Sequence, residues 1–65
     1  MNIGEVIKKK RKEKKISQVK LAELIGVSQT DIWRWEKDIH EPSLKFIYKL
    51  CDVLEFDLSD LISTR

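Results

Sequence analysis

The sequence predicts an all-α fold, a compact bundle of five short helices, and three observations carry that prediction. Apolar residues recur at i, i+3 and i+4 along nearly the whole chain, the spacing that lines one face of a helix. A capping residue (Asn2, Ser17, Ser28, Ser43, Asp57) stands just ahead of each such stretch. No segment shows the period-2 alternation of a half-buried strand. At 65 residues, 42% of them hydrophobic, the chain has room for one domain, 1–65.

Helix 1 is expected over 3–14. Asn2 followed by Glu5 reads as a capping box, in which side chain and carboxylate satisfy orphan N–H groups reciprocally. Ile3, Val6 and Ile7 form its apolar stripe, and its second half is almost purely cationic, which suits the negative end of the helix dipole. Ser17 caps helix 2 over 18–25, with Leu21, Ala22, Leu24 and Ile25 inward and Gly26 closing it as a residue able to take positive φ. Ser28 caps helix 3 over 29–37, with Asp31 completing an S-x-x-D box. Ile32, Trp35 and Glu36 share the inward arc of that helix, while Gln29, Thr30, Trp33, Arg34 and Lys37 point away.

A polar connection over 38–43 contains the single proline, Pro42. Ser43 then caps helix 4 over 44–54, with Leu44, Ile47, Leu50, Cys51 and Leu54 inward. Glu55-Phe56 is a break, and Asp57 caps a closing turn with Leu58, Leu61 and Ile62.

Composition narrows the function classes. One cysteine, Cys51, excludes an intramolecular disulfide and a cysteine-built zinc cage. One histidine, His40, leaves no second imidazole for a metal site or a conventional nucleophile–base pair. We therefore expect no metal, no cofactor, no small-molecule ligand and no enzymatic activity. No apolar run approaches the ~18 residues of a membrane span, so a soluble, cytoplasmic protein is expected.

The net charge of +2 conceals an asymmetry. Residues 1–34 carry nine Lys/Arg against four Asp/Glu, and residues 35–65 carry four against seven. The segment from Lys8 to Lys15 holds seven basic residues in eight. Such a run is either a solvated helix face or part of a surface for a polyanion.

Two short helices joined by a tight turn containing Gly form a helix-turn-helix outline, here over 17–37. That geometry lets the second helix present its N-terminal residues to a major groove, which is about 12 Å wide and admits one helix. Ser17-Gln18-x-x-Leu21-Ala22-x-Leu24-Ile25-Gly26-Val27-Ser28, followed by Ile32-x-x-Trp35-Glu36, resembles the phage Cro/repressor-type (Xre-like) family of DNA-binding domains. The continuation Pro42-Ser43-Leu44, then Leu50, Leu54 and Leu58, extends the resemblance over roughly 3–62.

The resemblance implies a transcriptional regulator, a dimeric repressor that acts by occupying an inverted-repeat operator in double-stranded DNA, in the cytoplasm and associated with the nucleoid. It implies base reading by Gln29, Thr30 and Arg34, and a phosphate contact from Gln18, which also braces the first residue of helix 3; Ser28, Lys37 and Lys10 are the further phosphate candidates. The chemistry agrees, since Gln bonds adenine N6/N7 and Arg bonds guanine O6/N7. Ordinary solvated polar positions are the alternative for these side chains. Trp33 has two readings, against a thymine methyl or deoxyribose, or folded over Gln29 and the stem of Lys37. Asp31 is assigned to the cap rather than to a base, because phosphate repels it. Arg11 and Glu36 match the family's buried ion pair.

Two departures from the family pattern stand at helix exits, where Asp38 and Glu55 replace a common Gly. Phe56 and Ile62 are the expected twofold contact of a homodimer, with Leu58 and Leu61 closing the subunit core. The competing function is an antitoxin-like protein-interaction module with secondary DNA binding.

Overall fold

The computed structural model describes residues 2–59, and these contain four helices: α1 (Ile3–Glu13), α2 (Gln18–Ile25), α3 (Gln29–Glu36) and α4 (Leu44–Leu54). The sequence predicted five helices; the closing turn after Asp57 falls mostly outside the described residues, as does Ile62. Among the described residues no helix is long and apolar enough to cross a membrane.

Caps set the starts. Asn2 accepts from the Glu5 N–H at 2.9 Å, and Ser17 accepts from the Lys20 N–H at 2.9 Å. Ser28 and Asp31 form a reciprocal capping box, at 3.2 and 3.3 Å. Ser43 occupies the N-cap of α4 in extended conformation but makes no side-chain cap bond, contrary to expectation. The buried Pro42 ahead of it restricts the chain's entry into the helix instead.

The exits share one closure. Lys15, Gly26, Asp38 and Glu55 all adopt left-handed backbone, with φ of 60°, 89°, 61° and 59°. In each case the next residue donates its N–H back five positions: Ile16 to Arg11, Val27 to Ala22, Ile39 to Arg34 and Phe56 to Cys51, at 2.9–3.3 Å. This is the Schellman arrangement, which satisfies carbonyls that a helix end otherwise leaves orphaned.

The core unites Val6 and Ile7 of α1, Leu21, Ala22 and Ile25 of α2, Ile32 and Trp35 of α3, Leu50 and Leu54 of α4, and Phe56. Burying each aliphatic side chain contributes about 1.5–3 kcal/mol. Leu24 and Leu44, expected inward, are 49% and 59% exposed. Leu24 lies about 60° outside the arc of Leu21, Ile25 and Ala22. In α4 the buried stripe turns toward Phe46 and Val53, which pack against the core, and this rotation carries Leu44 out. The Trp35 and Phe46 rings meet with centroids 5.7 Å apart.

Phe56, expected at a twofold contact, is 6% exposed and belongs to the core of its own subunit, whereas Leu58, expected in the core, is 39% exposed. The α4 closure explains the exchange, because its bond from the Phe56 N–H to Cys51 folds the ring back under the helix. Cys51 is half-buried against the core.

Candidate nucleic-acid interface

Helix α3 divides sharply. Ile32 and Trp35 are buried, while Gln29, Thr30, Trp33, Arg34 and Lys37 are exposed. At 3.6 residues per turn those five positions span about 140° of arc, so they form one continuous outward face. Trp33 is 42% exposed on that face. The α2–α3 turn at Gly26, Val27 and Ser28 holds the helix against α2, with the φ of Gly26 at 89° supplying the corner.

The face is braced from below. Arg11 donates from Nε to Glu36 at 2.7 Å and from Nη2 at 3.1 Å, and its Nη1 donates to the Ile16 carbonyl at 2.9 Å. The two side chains are only 10% and 3% exposed. Such a buried pair is costly to desolvate, and breaking one partner strands the other. Here the guanidinium fork ties α1 to the last turn of α3. Glu36 also accepts from Gln18 Nε2 at 3.0 Å, and Gln18 in turn accepts from Gln29 Nε2 at 2.6 Å.

Asp31 faces the cap, as expected from its charge. Ser28 accepts from the Asp31 N–H through its hydroxyl oxygen, which leaves the O–H free to donate. Lys37 is the exposed C-cap of α3. Lys10 is half-buried on α1, and its ammonium lies 3.9 Å from Glu13. Lys14 pairs with Glu55 at 2.8 Å, and that contact holds the Glu55 carboxyl below its ordinary value. His40 is exposed beyond the α3 exit.

Two supporting residues and one contact escaped the sequence reading. Gly4 lies where α1 meets the end of α3: a Cβ there would stand 2.5 Å from the Trp35 carbonyl oxygen and 2.8 Å from Asp38 Oδ1. Lys49 reaches the Ile25 carbonyl at 3.4 Å and caps α2 from α4. The Gln18–Glu36 bond joins residues eighteen apart in sequence, so no local pattern announces it. An apolar residue after each left-handed position (Ile16, Val27, Ile39, Phe56) was the available signal for the exits.

Two short helices joined by a glycine turn, the second with a buried face and an exposed face that carries Gln29, Thr30, Trp33 and Arg34, form a helix-turn-helix. The chain belongs to the helix-turn-helix family of Cro/repressor-type regulators, whose pattern it matches over residues 7–61, and it is a repressor-like DNA-binding transcription regulator. It is 34% identical over 63 residues to the ImmF control region 10 kDa protein of Bacillus phage phi105, covering 97% of this chain and 70% of that one. It is 34% identical over 62 residues to the immunity repressor protein of the same phage, covering 95% of this chain and 43% of the relative. The P22 c2 repressor, solved in complex with a synthetic operator, superposes with a TM-score of 0.88 at 33% identity, covering 94% of this chain and 92% of that one. The N-terminal DNA-binding domain of SinR from Bacillus subtilis gives 0.85 at 34% identity, over 97% and 93% of the two chains.

Proposed function

We propose that the protein binds a specific double-stranded operator and represses by occupancy, with the N-terminal half of α3 in the major groove. Gln29, Thr30 and Arg34 read base edges there, and Trp33 presses on a thymine methyl or deoxyribose. Gln18, Ser28, Lys37 and Lys10 meet phosphates and fix the register. The observation that carries this reading is the exposed arc of Gln29, Thr30, Trp33 and Arg34, braced through Gln18. The operator complex of the P22 c2 repressor supports it, since that protein shares the fold at 33% identity.

A homodimer on an inverted repeat completes the proposal, with recognition helices about 34 Å apart. Phe56 is spent on the core, so the twofold contact falls to the exposed Leu58 and to Ile62, which lies outside the described residues. Selection of bound duplexes from a random pool tests the whole reading. A consensus with two inverted half-sites one turn apart is expected, and absence of any consensus overturns sequence-specific binding. Within that operator, Arg34→Ala should relax discrimination at one base step by about 1–3 kcal/mol. Equal losses for operator and random DNA would remove its reader role.

A further inference from the structure

Four side chains form a continuous hydrogen-bonded path from the interior to the outward face of α3. It runs from Arg11 to Glu36, from Glu36 to Gln18, and from Gln18 to Gln29. The Glu36 side chain is 3% exposed and Gln18 is half-buried, whereas Gln29 is exposed.

The inner end of this path has a fixed direction. A guanidinium only donates and a carboxylate only accepts, but a Gln amide does both and can be turned either way. Facing the Glu36 carboxylate, Gln18 is compelled to turn its NH2 inward, which leaves its carbonyl oxygen toward Gln29. Gln29 must then meet that oxygen with its own NH2. Its Oε1 and one remaining N–H are left for DNA. One acceptor beside one donor complements adenine, which shows N6–H2 and N7 in the major groove. Guanine shows two acceptors there, O6 and N7.

We infer that Glu36 is a positioning residue for base selection: through Gln18 it sets the amide polarity of Gln29, and thereby a preference for adenine over guanine. The inference rests on the proposed role of Gln29 as a base reader, and it adds the buried residue that decides what Gln29 reads.

The test uses the full chain and the selected operator, with adenine or guanine placed at the step that Gln29→Ala relaxes. In Glu36→Gln the inner group carries both a donor and an acceptor, so Gln18 loses its compelled direction. The adenine-over-guanine affinity ratio should fall on the order of tenfold. Discrimination at the step relaxed by Arg34→Ala serves as the internal reference and should hold. Gln18→Met leaves the Arg11–Glu36 pair in place and removes the relay; its lost phosphate contact weakens all sequences alike, and beyond that uniform loss the adenine-over-guanine ratio should fall as in Glu36→Gln, which covers the case of an unfolded Glu36 variant. Should both variants keep the wild-type ratio while Gln29→Ala abolishes it, the inference fails and Gln29 remains a reader. A ratio unchanged in Gln29→Ala overturns reader and relay together. Equal losses at every step in both variants make the role of Glu36 structural only and also overturn the inference.

Discussion

The exits of α3 and α4 have the same backbone closure and draw their stability from different sources. Both place an acidic residue in the left-handed region, Asp38 at φ 61° and Glu55 at 59°, at a cost of roughly 1–2 kcal/mol each for a residue with a Cβ. Beyond Glu55 the chain buries Phe56, whereas beyond Asp38 it leaves Ile39 54% exposed. Apolar burial therefore holds the α4 exit. The α3 exit depends on α1 instead, through the Arg11–Glu36 fork and the close approach of Gly4 to the Trp35 carbonyl. A shared turn geometry says nothing about what stabilises it; the neighbours decide.

Substitutions at the two exits separate these sources. Phe56→Ala should cost about 3–5 kcal/mol in denaturant unfolding, while its counterpart Ile39→Ala should stay within about 0.5 kcal/mol. Comparable losses for the two would erase the distinction. Glu36→Ala strands a buried guanidinium and should cost about 3–5 kcal/mol, and the apolar double replacement Arg11→Met with Glu36→Leu should recover much of it. A Glu36→Ala midpoint equal to wild type would show that α1 does not hold this end.

Gly4→Ala comes next. Alanine improves helix propensity by about 1 kcal/mol, yet the added methyl meets the Trp35 carbonyl, so a net loss of about 1–3 kcal/mol is expected. Net stabilisation in thermal melts would mean that α1 yields easily. A modest gain of about 1 kcal/mol is expected from Glu55→Gly, which relieves left-handed strain. Its pH dependence has a definite sign. The Lys14 contact depresses the Glu55 carboxyl in the folded state, so the contact stabilises above the ordinary carboxylate value and is lost as pH falls. The advantage of the glycine variant should thus widen on acidification, and urea melts across the carboxylate range read it.

Much of this was legible in the sequence because it is local. The caps at Asn2, Ser17 and Ser28 and the buried arc of Ile32 and Trp35 follow from spacing alone. The two exits where Asp38 and Glu55 replace glycine were visible as departures from the family pattern. Most of what failed depended on the placement of whole helices. Leu24 lies about 60° beyond its buried arc, which helix period alone could have shown, whereas for Leu44 the packing of α4 against its neighbours decides inside from outside. The exchange of Phe56 and Leu58 had the same origin, since one turn of chain determines which of two adjacent apolar groups reaches the core. In the candidate interface the outward stripe was readable from period, but the Gln18–Glu36 bond required the tertiary fold.

At eight residues, α3 is well below the ~12–15 residues at which a helix begins to persist alone in water. The surface proposed to meet DNA thus has no existence apart from the folded chain. A partly unfolded molecule is a non-binder rather than a weak binder, and occupancy of a site protects the protein that occupies it. Under the proposed repression by occupancy, the lifetime of silencing becomes coupled to proteolysis: whatever degrades unfolded copies removes free regulator first, and loss of the last bound copies waits on their release.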